Sequence, residues 1–442
     1  MLRLRTQQPV HAFPGSLVWK GRTETTVSRE RNPLSGVQAV RINGPIAYIV
    51  LYAALYAAFG VASPFWPKFF ETRALTSQQI GLILAAAMLM RLVAGPLVGM
   101  LADLLGSLRL VLATCAALAA GTAAALLWAD TFWLLLLIAL VQAAALAPTT
   151  SVADALSVSA AKPQLAGRPF EYGWIRGSAS AAFVLGTLAI GQLISRTDLT
   201  PIIWMNVALL VAAAGATALV SSATTQSAPH TGASSVAIEV HGLLRISRFR
   251  ILILVSALVY GSHAMHDAFA VIRWSATGID TSVISVLWSE AVAAEVIVFF
   301  LIGPALLDRF GVRGAAALAA AAGILRWSIA GVTTSVLMLS ILQPLHGLTF
   351  ALLHLACMRM MVTLVPASLA ATAQAFYAFG SGFVTAALTL LSGTLYARYG
   401  GAAFFPMALL CGVALPFAWF GFADERHRSD HHLIQHMRNQ LK

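Results

Sequence analysis

The stretch GPLVGMLADLLGSLR, Gly95 to Arg109, returns in altered form as GPALLDRFGVR, Gly303 to Arg313. Each copy has Gly-Pro inside an apolar run, then an aspartate, a glycine and an arginine in a very short polar turn. Glycine permits the turn's backbone and close contact between the flanking helices. The aspartates, Asp103 and Asp308, can cap a helix N-terminus or pair with arginine across the loop. An echo at the same place in two halves of a chain marks an internally repeated transporter architecture.

Outward from these loops the sequence divides into apolar runs long enough to cross a bilayer, about 20 residues each. Twelve follow from punctuation at charges, Pro-Gly clusters and polar turns: approximately 45–70, 77–102, 108–128, 131–158, 170–195 and 201–221, then 249–274, 281–307, 314–331, 335–362, 366–396 and 402–422. The fold class expected is an all-α membrane protein with twelve transmembrane helices in two six-helix bundles. The segment 222–248, rich in Ser, Thr and Ala, splits the spans six and six and reads as a cytoplasmic linker. Bundles over 44–221 and 249–423 are then flanked by a basic tail at 1–43, expected to be disordered, and another at 424–442.

Composition agrees. Of 442 residues, 59% are hydrophobic and 10% charged, against roughly 25% charged in soluble domains; mean hydropathy is +0.81. A soluble enzyme, a disordered chain and a disulfide scaffold are excluded. The net charge of +11 does not indicate nucleic acid, because it is concentrated in tails and loops without interleaved aromatics. Nineteen Lys and Arg fall on the side of the chain ends. Five fall opposite (Lys68, Arg73, Arg196, Arg273, Arg398), and Arg91, Arg176, Arg326 and Arg359 lie inside spans. That asymmetry puts both termini in the cytoplasm of a bacterial inner membrane. Cys115, Cys357 and Cys411 have no ligand spacing and read as inert buried thiols.

Ionisable groups at membrane depth are costly and are functional candidates. Asp154, near the end of the fourth span, and Arg176, in the fifth, lie at similar depth and can pair across the hairpin. This is either a structural ion pair or a substrate or gate site, with Arg176 the natural partner for a carboxylate. In the second half, His263, Glu295, Arg326 and His346 share the middle third, within SHAMHDAFAVIRW, LWSEAVAAEVIVFF and PLHGLTFALLHLACMR. A carboxylate, an imidazole and a guanidinium at one level suit proton-coupled transport, so Glu295, Arg326 and His346 are assigned to coupling. His263, Asp154, Arg176, Gln374 and Tyr377 are expected to line the cavity. Asp103, Arg109, Asp308 and Arg313 are assigned to gating loops. His263, His266 and Asp267 share a helix face with metal-ligand spacing, but no second His-rich helix stands at that depth, so no metal is expected. No Gly-x-Ser-x-Gly elbow or phosphate loop occurs, so neither nucleophilic catalysis nor ATP is expected, and no cofactor is implied. Phe65, Trp66 and Trp274 read as interfacial belt aromatics.

The paired loops resemble those of the major facilitator superfamily, although Leu104 and Leu105 replace more basic residues. The chain more specifically resembles the phenylpropionate-permease branch. That likeness rests on Pro64-Phe65-Trp66, Asp154-Ala155-Leu156, Tyr172-Gly173-x-x-Arg176, Ser262-His263-Ala264, Leu287-Trp288-Ser289 and Ala294-Glu295-Val296. It continues in Arg326-Trp327, Leu345-His346-x-x-Thr349-Phe350, His354, Met358-Arg359, Gln374 and Tyr377. The resemblance covers about residues 45 to 422. It implies a twelve-span permease taking up small organic molecules with protons, aromatic acids such as 3-phenylpropionate being the substrate class. Two departures bear on substrate: Gly177, Ser178, Ala179 and Ser180 follow Arg176 where the branch tends to have Trp-Gly-Ser, and His266, Asp267 and Glu290 add charge near the cavity. The alternative function is proton-coupled export of drugs or metabolites; a membrane enzyme or a sensor is more remote. The expected partners are a small-molecule substrate, protons and the lipid bilayer, and a monomer suffices because two bundles enclose a path.

Overall fold

In hydrocarbon every backbone N–H and C=O must be satisfied within its own segment, and a helix does this. The computed structural model describes residues 44–159, 164–165, 168–169, 172–195, 197–220, 242–366 and 369–422. The tails expected at 1–43 and 424–442 lie outside them. The first half contains α1 (Gly44–Ala62), α2 (Trp66–Thr72), α3 (Ser77–Leu105), α4 (Leu108–Ala125), α5 (Phe132–Leu146), α6 (Thr149–Ser159), α7 (Tyr172–Leu193) and α8 (Thr200–Ala216). The second contains α9 (Ser247–Gly261), α10 (Ala264–Ala276), α11 (Thr281–Ile297), α12 (Gly303–Val332), α13 (Val336–Leu342), α14 (Leu353–Leu364), α15 (Ala370–Tyr399) and α16 (Phe405–Gly421). A two-residue antiparallel pair, Gln164–Leu165 with Arg168–Pro169, lies between α6 and α7.

Nine stretches among the described residues are long and apolar enough to cross a membrane, and the bent pair α1–α2, with a 44° angle, is a tenth. Two of the nine, Thr281–Val332 and Ala370–Gly421, are 52 residues long, about 78 Å of helix at 1.5 Å per residue. Each is more than twice the hydrocarbon thickness of about 30 Å. Each also turns back at a glycine with left-handed backbone, Gly311 (φ 66°) and Gly400 (φ 51°). Counted as two crossings apiece, they bring the described residues to the expected twelve.

The first of the paired loops closes as its glycine requires: Gly106 ends α3 at φ 62° and the Ser107 side chain caps α4. The expected role of the aspartates needs correction. Asp103 caps nothing and has no side-chain partner among the described residues, because Ser107 already occupies the cap. Asp308 reaches Arg359 of α14 at 2.6 Å rather than Arg313. Arg313 instead lies 3.8 Å over the Trp419 ring, and Arg109 donates to the Val220 carbonyl at the end of the sixth span. Arg359, assigned from sequence to a span interior, is half exposed in that ion pair. The linker expected over 222–248 lies outside the described residues up to 241; residues 242–245 are helical, Ser247 and Arg248 already belong to α9, and Leu243 and Ile246 are fully buried. Phe65 and Trp274 are not belt residues: both are buried against neighbouring helices. Trp128, Trp133, Trp174, Trp204 and Trp419 are the exposed tryptophans at span ends among the described residues.

Packing differs at the two faces. On the face where α1 begins, here the terminal face, Tyr48, Leu51, Tyr52, Leu112 and Leu156 form a cluster confined to the first half. Phe249, Leu252, Leu353 and Tyr377 belong to a separate cluster confined to the second. On the distal face one cluster joins both halves, with Phe65, Phe69, Ile80 and Ile190 packed together with Met265, Phe269, Ile284 and Trp327. Backbones touch across that seam. The Thr281 hydroxyl donates to the Gly191 and Ile194 carbonyls at 3.1 and 2.9 Å. The halves are therefore sealed distally and form a cleft open to the terminal face.

Within the first half, α1 and α7 cross at glycines. A Cβ at Gly186 would stand 2.6 Å from the Ala57 carbonyl oxygen and 3.1 Å from its Cα. Backbone cannot yield as a side chain does, so Gly186→Val is expected to destabilise the fold by at least about 1–3 kcal/mol. The fraction recovered monodisperse on gel filtration measures this. Gly412→Ala, where no atom lies within 4 Å of the added carbon, is the control expected to keep wild-type yield.

Candidate functional site

The cleft wall of the first half is built from a phenol pair and an ion pair. Tyr52 and Tyr56, one turn apart on α1, stack with ring centroids 5.9 Å apart. The Tyr52 hydroxyl donates to Asp154 Oδ1 at 2.5 Å, and Arg176 Nη1 donates to the Tyr56 hydroxyl at 2.6 Å. Arg176 Nη1 lies 3.7 Å from Asp154 Oδ1, so the two charges chosen from sequence do pair. Neither is enclosed: their side chains keep 40% and 38% of their exposure. The pair therefore holds Arg176 in place on the cleft wall with its side chain partly exposed, and a guanidinium is the cation best shaped for a carboxylate.

The opposite wall brings together all four midplane residues read from the sequence. His346 Nε2 lies 3.5 Å from Glu295 Oε2, and His346 Nδ1 lies 3.1 Å from Arg326 Nη1. A guanidinium has only donors. Nδ1 of His346 therefore accepts, and the ring proton sits on Nε2, facing the glutamate. Arg326, 1% exposed, is held from behind by Gln343 Oε1 at 3.0 Å and by the Trp327 ring. His263 bonds Thr349 through Nε2 at 2.9 Å, and its ring stands edge-on to that of His346, centroids 5.3 Å apart. The local reason Glu295 and His346 meet is one residue away from each. Gly347 presses on the Ala294 carbonyl so closely that a Cβ there would lie 2.6 Å from its oxygen. Each residue is also followed within three positions by a π-helical turn, Val298–Ile302 and Leu348–Leu352. Such turns re-aim side chains and recur at functional sites.

Tyr377 joins a neighbouring group, with its hydroxyl 2.9 Å from that of Tyr260 and 3.3 Å from His354 Nδ1. Glu295 is within electrostatic reach of His354 and, across the cleft, of Arg176. Gln374 is not brought in: its side chain is exposed on α15 and makes no hydrogen bond among the described residues. Sequence reasoning missed Tyr52 and Tyr56, whose signal was two phenols at helical spacing in an otherwise apolar span, and Gln343, immediately before Pro344. Of the residues assigned to gating, Asp308 pairs with Arg359 and Arg313 lies over Trp419.

Comparison with known proteins gives concordant results. The model of the MFS_1 like family matches residues 46–407. A protein of Escherichia coli (strain K12), the probable 3-phenylpropionic acid transporter, is 31% identical over 379 residues, 83% of this chain and 94% of that protein. The crystal structure of the nucleoside transporter NupG superposes with a TM-score of 0.75 at 18% identity, covering 88% of this chain and all of the other. A D-xylose-proton symporter superposes with a TM-score of 0.62 at 14% identity, covering 87% and 98%. At such identities the structural likenesses carry the fold alone.

Proposed function

The chain belongs to the MFS_1 like family and is a multi-pass membrane transporter of the major facilitator type, and from that premise we propose that it takes up a small organic carboxylate together with protons. The observation that carries the reading is the string Glu295–His346–Arg326 in the wall of a one-sided cleft, opposite the partly exposed side chain of Arg176. Arg326 orients His346 so that its Nε2–H faces Glu295. Glu295 then has two defined states: a carboxylate that accepts from the imidazole, and a neutral acid that has taken a proton. Arg176 attracts the solute's carboxylate. A carrier that changes access only when both sites are filled, or both empty, moves proton and solute together. The relative named for 3-phenylpropionic acid supports an aromatic carboxylate.

In this proposal the bundles span 44–221 and 249–423. Both termini face the cytoplasm of a bacterial inner membrane, as the basic tails favour, and the protein works as a monomer. The cleft then opens inward, and Asp103, Arg109, Asp308 and Arg313 stand at its cytoplasmic rim. The test uses proteoliposomes with a trapped pH dye. Addition of 3-phenylpropionate outside is expected to acidify the lumen, and Arg176→Gln is expected to reduce the rate at low solute by at least about tenfold, the scale of one charge-assisted hydrogen bond. Solute accumulation with no proton movement would end the symport reading.

A further inference from the structure

α10 carries a carboxylate that the coupling scheme does not use. From Gly261 to Ile272 every residue is buried except Asp267, whose side chain keeps 57% of its exposure. A helix enclosed on all sides that exposes one position must open there onto an internal space. Asp267 is one helical turn beyond His263 and lies within electrostatic reach of His263, His346 and Arg326. That places it at the blind, distal end of the cleft. One of its oxygens accepts from His266 Nδ1 at 3.1 Å. His266 is itself 6% exposed and stacked on Trp288, with centroids 5.1 Å apart, so the contact holds the carboxylate in place without covering it.

The charges presented to the cleft are therefore unequal on its two walls. The second half shows Asp267 and Glu295, while its cation, Arg326, is 1% exposed and bonded to His346 and Gln343. The first half shows Arg176, 40% exposed, paired with Asp154, 38% exposed. Along the bilayer normal, Arg176 and Asp267 are separated by roughly 12 Å, judged from 17 and 9 residues of helix to the distal ends of α7 and α10 at 1.5 Å per residue. A solute bearing only a carboxylate satisfies Arg176 and leaves its other end against an open carboxylate.

We propose that Asp267 is a cation-recognition residue, and that the transported solute carries a protonated amine at the end remote from its carboxylate. The inference rests on the reading of the cleft as a site for an organic carboxylate. The amine would supply N–H donors to the uncovered Asp267 oxygen, and the tyrosines between would enclose the solute's body. Amine and carboxylate set apart to meet charges roughly 12 Å from each other fit a para-substituted phenyl ring better than an α-amino acid, whose charges share one carbon.

The experiment is a thermal-shift titration of purified protein with matched probes: 3-phenylpropionate, its 4-aminomethyl derivative, its 4-hydroxymethyl derivative, and 4-ethylbenzylamine. Wild type is expected to bind the aminomethyl acid at least about tenfold more tightly than 3-phenylpropionate, the scale of one charge-assisted hydrogen bond. In Asp267→Asn that ratio is expected to fall to near one, and in Asp267→Glu to persist. A wild-type ratio of one or less overturns the proposal without any variant. So does a ratio that survives Asp267→Asn, or a hydroxymethyl acid that binds as tightly as the aminomethyl acid. If 4-ethylbenzylamine binds wild type but not Asp267→Asn while 3-phenylpropionate does not bind at all, the carboxylate reading fails and the role of Asp267 stands.

Discussion

Glu295→Gln is expected to abolish proton-driven accumulation while leaving solute exchange across the membrane intact. The substitution keeps the side chain's length and still offers an acceptor oxygen to His346 Nε2–H, so the wall formed by Glu295, His346 and Arg326 keeps its shape. What it removes is the proton-accepting state. If one proton moves per solute, a gradient of two pH units supports about hundredfold accumulation, since each unit is worth a factor of ten. In the variant that ratio is expected to collapse to about one. Counterflow, in which labelled solute exchanges against unlabelled solute without a pH gradient, needs no proton to change places and is expected to survive. The two assays together separate an uncoupled carrier from an unfolded one. Undiminished accumulation in Glu295→Gln would move the coupling site elsewhere, with His346 and His354 the neighbouring titratable groups in the same cleft wall.

What the sequence disclosed depended on whether the signal was local. The twelve crossings were legible because hydrocarbon demands long apolar helices, and the turn at Gly106 was legible because a tight αL position asks for glycine. Depth was legible as well: counting residues along helices put Glu295, Arg326, His263 and His346 at one level and Asp154 beside Arg176. Contact was not, because it depends on how helices rotate and how closely they approach. The Glu295–His346 pair exists because Gly347 seats on the Ala294 carbonyl, a fact written in two distant segments. The same limit explains Asp308, which finds Arg359 fifty-one residues away instead of Arg313 nearby. It explains Phe65 and Trp274 too, whose position near span ends suggested the membrane interface although neighbouring helices cover both. Asp267 shows the limit most sharply. Its exposure is a property of the cleft, and no periodicity along α10 announces it.

Gly393→Leu is expected to hold the distal face open. At this seam α3 and α15 meet backbone to backbone. A Cβ at Gly393 would stand 2.5 Å from the Ser77 carbonyl oxygen and 3.1 Å from the Gln78 Cα, and one at Gly81 would stand 3.1 Å from the Thr389 carbonyl oxygen. The added bulk resembles that of Gly186→Val, but the consequence differs because the two seams join different parts. α1 and α7 both belong to the first half and stay packed however the halves rock. α3 and α15 belong to opposite halves and must separate whenever the distal face opens. A side chain at Gly393 therefore strains one state and spares the other. Overpacking of about 1–3 kcal/mol shifts the equilibrium between them by roughly tenfold to hundredfold, because only the difference between states counts. The readout is a reporter cysteine at Phe350, whose ring lies beside His346 and Tyr260 in the second half's wall, in a background lacking Cys115, Cys357 and Cys411. In membranes with the distal face outward, an impermeant thiol reagent is expected to label the Gly393→Leu protein at least tenfold faster than its parent. Uptake should fall, because the carrier no longer returns to its inward-open state. Unchanged labelling in a folded variant would mean that this seam does not part during transport. Gly191, pressed against Thr281 and Ser285 on the α7–α11 seam, would then be the next position to wedge.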